Sequence, residues 1–360
     1  MPLFTIIVYV TAALSAVALV LLATIFALNY LTGRQLARLS FLRSRMLPML
    51  HQYVHGRAKA EAVLPELERD PKIALECLVE TASGLPADQR PRLHELFEHF
   101  HFNETLIHEV QGRNWAKCIR AATSLGFTGN HDCVPDLMEA LKAEMLDVRL
   151  AAGRALSQLG AGEAVEAILK GLALPGRLPQ QNTTEILFEM GPEAIAPLEE
   201  FLRKQGAHNV EEAPALAVAA RVLGLLKAAS AAPVLVEVLL HPDSEVRLNA
   251  ARALGLIGDR VAFDALAQST SDPVWEVRNS AVQALGNLNE PRAIPAIVAR
   301  LQDRAWWVRF NAAQSLFRLG DAGIQALKNA MISSLDAFAR DISKQILEEH
   351  GIIAAEGAKP

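Results

Sequence analysis

The stretch SDPVWEVRNSAVQALGNLN, residues 271–289, returns along the chain at a fixed interval. Val246-Arg247, Val277-Arg278 and Val308-Arg309 are 31 residues apart, and Ala339-Arg340 follows after another 31. Leu254, Leu285, Leu316 and Leu347 keep the same beat. Leu125, Leu156, Leu187 and Leu223 extend it upstream with steps of 31, 31 and 36 residues. Such a period marks a stack of short supersecondary units.

Four residues beyond each leucine stands a helix-ending position: Gly129, Gly160, Gly191, Lys227, Gly258, Asn289, Gly320 and Gly351. Glycine and asparagine tolerate the left-handed backbone that stops a helix. Pro135, Pro197, Pro233 and Pro295 each fall six residues after such a stop, where the next helix begins and a missing N–H costs little. Each unit therefore reads as two helices. In the second, Val277, Ala281 and Leu285 recur at i, i+4 and i+8, as do Val246, Ala250, Leu254 and Val308, Ala312, Leu316. That spacing makes one apolar stripe per helix. A lone hairpin cannot bury it, so neighbours stack into a solenoid with a continuous core.

The pattern D-x-x-x-x-V-R followed by A and A-L-G, from Asp272 to Gly286 and less completely from Asp303 to Leu316, resembles the HEAT repeat in its short bacterial form, also found in phycobilin lyase-like proteins. The resemblance covers residues 113–351 and implies an all-α fold of about eight HEAT-like hairpins. It weakens over 178–227, where the Val-Arg pair is lost and five extra residues enter around 206–212. A lyase activity does not carry over, because the repeats are scaffolding and nothing else suggests a bilin.

Residues 2–33 contain no charged side chain, and 3–31 would make a helix of about 43 Å at roughly 1.5 Å per residue, enough to cross a hydrocarbon core of about 30 Å with tilt. A cleavable signal peptide would carry a basic start and a shorter apolar run. Arg34, Arg38, Arg43 and Arg45 follow the run instead. A single transmembrane helix is therefore expected over 1–33, with the amino terminus out and the rest on the cytoplasmic side of a bacterial inner membrane. Ala12 with Ala16 and Ala23 with Ala27 share helix faces, a weak signal for helix packing.

Residues 34–62 carry five net positive charges against ten net negative for the rest of the chain. This basic juxtamembrane segment is expected to meet anionic lipid. Leu36, Leu39, Leu42, Met46 and Met49 recur at helical spacing, as in a helix lying along the bilayer, with Pro48 disturbing its far end. Nucleic acid is a poor partner for an otherwise acidic chain.

Residues 63–112 read as three helices forming a divergent cap, one of them starting at Asp70-Pro71, and 352–360 as a tail. In the cap His94, Glu98, His101 and His108 fall at i, i+4, i+7 and i+14. They match neither H-E-x-x-H nor a paired E-x-x-H bundle, so a solvated polar face is expected and no metal. Cys77, Cys118 and Cys133 have no ligand spacing. With no phosphate loop, nucleophile elbow or paired carboxylates, neither an enzyme nor a cofactor is expected.

The repeats do offer a binding surface. Trp275 and Trp306 occupy equivalent positions three residues before Arg278 and Arg309, Trp307 extends the aromatic cluster, and Asn249, Ser280 and Asn311 align two residues beyond the arginines. Trp and Arg are enriched where binding energy concentrates. A partner-binding face of Trp275, Trp306, Trp307, Arg247, Arg278, Arg309, Asn249 and Asn311 is thus expected. The competing expectation is a structural Asp–Arg ladder and tryptophans that fill gaps between helices. The layout fits a membrane-tethered scaffold for a membrane-associated protein, such as an accessory subunit of a polysaccharide glycosyltransferase. A regulatory adaptor for a soluble signalling protein is the alternative, and a lyase-like enzyme a weaker third.

Overall fold

The computed structural model describes residues 19–26, 37, 39–86, 89–171, 179–206 and 209–353. All regular structure among them is helical. The described residues form two compact units: one runs up to Leu106 and includes Phe127–Asn130, and the other takes Ile107–Gly126 and the chain from His131 onward.

In the first unit residues 39–54 form one helix that passes through Pro48 without a break. Leu42, Met46, Leu50, Tyr53 and Val54 are buried. Helices Ala60–Leu67, Pro71–Ser83 and Pro91–His99 follow, and Asp70 caps the second by accepting the Ile73 N–H. The helix at 39–54 is thus part of a small apolar core. This corrects the expectation of a helix laid along a bilayer: the Leu42, Met46, Leu50 stripe gains more by packing on its own chain, and only Leu39 and Phe41 remain exposed. Leu36 and most of the expected membrane span lie outside the described residues, whereas 19–26 are helical with exposed side chains. Among the described residues no helix is long and apolar enough to cross a membrane.

The second unit carries the repeats. Its eight long second helices are Trp115–Leu125, Leu146–Leu159, Gln180–Met190, Ala213–Leu225, Ser244–Ile257, Trp275–Leu288, Trp306–Arg318 and Ala337–Glu349. Consecutive members from 115–125 to 306–318 pack side by side as one layer, and the first helices, most of them shorter, pack against it. The Val–Ala–Leu stripes are fully buried at 246, 250 and 254, at 277, 281 and 285, and at 308, 312 and 316. All eight stop positions from Gly129 to Gly351 have positive φ, Lys227 and Asn289 included. The irregular unit differs as its sequence does: its first helix, Ile195–Gln205, has 11 residues where Phe263–Ser269 has 7, and the extra length is shared between helix and loop.

The glycine after the register leucine sets how closely the layer packs. A methyl group built on Gly224 would stand 2.5 Å from Ala253 Cα, and one on Gly255 2.8 Å from Ala284 Cα. On Gly286 it would meet Ser315 Cβ at 2.7 Å. Each glycine receives the small residue that precedes the next unit's leucine, so the helices approach backbone to backbone. In an open helix Gly→Ala stabilises by about 0.5–1 kcal/mol. Here Gly255→Ala is expected to lower stability by about 1–3 kcal/mol through overpacking, read as a lower thermal midpoint; an unchanged or higher midpoint would contradict so tight a contact.

Candidate protein-binding face

At the start of four of the second helices, ten residues before the register leucine, stand Trp115, Leu146, Trp275 and Trp306, all exposed. A large side chain in this first helical turn is only partly covered by its neighbours. Trp275, Trp306 and Trp307 are 39%, 46% and 55% exposed. Trp306 stacks on Phe310 with centroids 5.0 Å apart, and Trp307 meets Trp306 edge-on at 4.8 Å. Trp275 has no ring partner among the described residues. The structure therefore gathers Trp306, Trp307 and Phe310 into one solvent-facing shelf near the end of the stack and leaves Trp275 apart. Phe310 and Trp115 were missed in the sequence, although both follow from the register once the helix face is known.

The arginines lie elsewhere. Arg247 reaches the next unit through Nε and Nη2, bonding Asp272 at 2.8 and 3.0 Å. Arg278 bonds Asp303 in the same fork geometry at 2.7 and 2.7 Å. In each, Nη1 also donates to the two carbonyls that precede its own helix, those of His241 and Pro242 for Arg247 and of Asp272 and Pro273 for Arg278. Arg149, Arg309 and Arg340 place Nη1 identically. Val148-Arg149 is thus a further repeat pair, readable at 23 residues after Leu125 but overlooked. Arg247 and Arg278 act as staples between units, as the ladder expectation has it. Asn249 is buried too, accepting from Arg221 Nε at 3.0 Å and donating to the Glu245 carbonyl. Asn311 donates to Asn279 Oδ1 at 2.8 Å and to the Trp307 carbonyl. Ser280 is buried. These polar side chains order the layer that carries the shelf.

Of the expected lipid-facing arginines, Arg34 and Arg38 lie outside the described residues. Arg43 pairs with Glu80 and Arg45 with Glu66, which also holds Arg69. Half the expected basic surface is therefore committed to carboxylates of its own unit. In the cap, the helix ends at His99 and the backbone turns left-handed at His101, so His108 sits on a separate helix and the face does not form as the spacing implied. His94 pairs with Glu98 and bonds the Thr128 carbonyl. No group of three potential metal ligands occurs among the described residues. Burial pushes the Cys77 thiol up to about 11 and the Cys133 thiol to about 12, and Cys118 Sγ donates to the Glu109 and Gly112 carbonyls.

Two surface hollows lie in the repeats. One of about 350 Å³ is lined by Ile119, Thr123, Asp147, Leu150, Arg154 and Gln158. The other, of about 320 Å³, is lined by Leu301, Gln302, Asn329, Ala330, Ser334 and Ala339 among others.

The sequence profile for HEAT repeats matches residues 103–179, 204–286 and 265–348. The chain belongs to the HEAT-repeat family. A comparison with curated protein sequences found no match. Among solved structures, the chain is similar to the complex of CpcE and CpcF of phycocyanin lyase from Nostoc sp. PCC7120, at 22% identity and a TM-score of 0.31, over 69% of this chain and 94% of that one. It is also similar to the karyopherin Kap121p bound to Pho4p, at 14% identity and a TM-score of 0.48, over 87% of this chain and 40% of that one. Importin beta is similar at 14% identity and a TM-score of 0.44, over 85% of this chain and 47% of that one. This HEAT chain thus spans less than half the length of Kap121p or importin beta, and the likeness concerns fold alone.

The HEAT ladder has a pH signature. Burial raises the Asp303 pKa, but the Arg278 fork, the Ala305 N–H and the charges of Arg278 and Arg300 outweigh it, holding the carboxyl below its ordinary value. The stabilisation is complete above the unfolded value of about 3.9 and lost as pH falls through the lower folded value. Asp303→Asn is expected to lower the midpoint at pH 7 and to flatten its fall below about pH 4. Arg278→Ala, which strands the carboxylate, is expected to cost about 3–5 kcal/mol. A denaturation series over pH measures both, and an Asp303→Asn curve parallel to wild type below that pH would remove the ladder from the acid response.

Proposed function

We propose that this HEAT protein is a scaffold that holds a partner protein on the Trp306, Trp307, Phe310 shelf while residues 3–31 tether it to a membrane. The observation that carries the proposal is the exposure of Trp306 and Trp307, clustered with the half-buried Phe310, on a layer whose Arg247, Arg278 and Asn249 are occupied internally. Aromatic side chains of this kind concentrate binding energy once a partner desolvates them. Their rigid placement on a helix lowers the entropic cost of association. The uncharged 2–33 stretch followed by Arg34 and Arg38 supports the tether and a cytoplasmic repeat domain, since arginines are retained on that side. A tether raises the effective concentration of the scaffold near membrane-embedded partners, which favours an accessory subunit of a membrane complex over a free adaptor. The chain is read as a binding protein and not an enzyme.

Trp306→Ala/Trp307→Ala should leave the thermal midpoint within a few degrees of wild type, because both rings are about half exposed. The variant should weaken partner capture from mild-detergent extracts by about 30-fold or more, the measure of two lost anchors. A photo-crosslinker at position 307 should join a membrane protein, and the full chain should resist alkaline washing of membranes. Crosslinking to soluble proteins alone favours the adaptor reading, and unchanged capture by the double variant removes the shelf from binding.

A further inference from the structure

The Asp–Arg ladder has an open rung at its end. The carboxylate that each arginine holds lies 25 residues ahead: Asp272 for Arg247 and Asp303 for Arg278. The same step from Arg309 arrives at Ser334. In other respects Ser334 does what the aspartates do. Asp272 Oδ1 accepts the N–H of Val274 and Asp303 Oδ1 that of Ala305, and Ser334 Oγ accepts the N–H of Asp336. The turn is preserved and the carboxylate is missing.

Arg309 is only 9% exposed. Its Nη1 is spent on the Asp303 and Arg304 carbonyls, and its Cζ lies 4.6 Å from the centroid of the Phe338 ring, which covers it from one side. Among the described residues the Nε and Nη2 fork has no hydrogen-bond acceptor. In the two rungs before it, the same fork takes two carboxylate oxygens. A buried guanidinium without its counter-ion is costly, and a bidentate carboxylate is the acceptor whose geometry matches it. The place opens outward: Leu335, next to Ser334, is 100% exposed, and Ser334 also lines the hollow of about 320 Å³ with Leu301, Ala330 and Ala339.

We propose that Arg309 completes the ladder with a carboxylate from the partner protein, an Asp or Glu flanked by an apolar side chain that enters the hollow beside Ser334. This rests on the scaffold reading above and deepens it by naming the partner's chemistry. The partner then supplies, at the last unit, the carboxylate that Asp272 and Asp303 supply within the stack.

Two labelled peptides test it by fluorescence anisotropy with the full chain in detergent: acetyl-Gly-Leu-Asp-Leu-Ser-amide and its Asn counterpart. Wild type is expected to bind the Asp peptide at least fivefold tighter. Ser334→Asp, which supplies the missing carboxylate internally, is expected to abolish that preference and raise the thermal midpoint, whereas Ser334→Asn keeps the preference. Equal binding of the two peptides by wild type overturns the proposal, as does a preference that survives Ser334→Asp. Residues 354–360 include Glu356; if their deletion tightens Asp-peptide binding fivefold or more, the rung is held by the chain's own tail and the proposal falls. Failure here with partner capture still lost in the tryptophan variant leaves the scaffold reading standing. A clear Asp preference with capture unchanged in that variant sinks the shelf and keeps the rung.

Discussion

The backbone-to-backbone approach of consecutive second helices is the contact on which the rest depends. Each hairpin leaves its Val–Ala–Leu stripe partly open until a neighbour covers it, and coverage is complete only because Gly224, Gly255 and Gly286 admit Ala253, Ala284 and Ser315. Stability in such a stack is a sum of unit and nearest-neighbour terms. The spacing of the layer fixes everything that spans it. The Arg247–Asp272 and Arg278–Asp303 bridges repeat the same fork because the helices they connect repeat the same offset.

That offset also explains why two kinds of residue with the same sequence period end in opposite places. Arg278 and Trp275 are three residues apart on one helix, yet the arginine folds back beneath the preceding turn to meet its own carbonyls and the next unit, while the tryptophan stays at the margin. A guanidinium taken out of water needs several acceptors at once, and the stack provides them for Arg247 and Arg278. An indole at the first helical turn needs only an apolar neighbour, and at Trp306 it finds Phe310 and Trp307. The surface left for a partner is what the stack has no use for.

The sequence was most legible where one residue type answers one local need. The left-handed stops, Lys227 among them, and the prolines near the starts of first helices are backbone requirements, so position alone reveals them. It was less legible where a side chain chooses between two environments. Helical spacing at Leu42 and Met46 is equally compatible with a bilayer surface and a protein core, and only the packing of the first unit shows that they are buried. Arg43 and Arg45 read as free positive charge until Glu80 and Glu66, 37 and 21 residues away, come within reach. The histidine face of the cap failed because the backbone reverses at His101, a non-glycine residue with positive φ that no composition rule marks.

By itself the sequence determined the repeat, its two helices, their ends, their buried stripes and their HEAT family, because these follow from periodicity and short-range backbone chemistry. Only the tertiary structure decided which polar residues are spent inside the stack, which aromatic rings cluster on its surface, and that the ladder stops at an arginine without its carboxylate. The polar outcomes depend on distances between residues 25 or more positions apart, which the offset between packed helices sets, and the aromatic cluster on which face of one helix the packing leaves open; a linear period records neither.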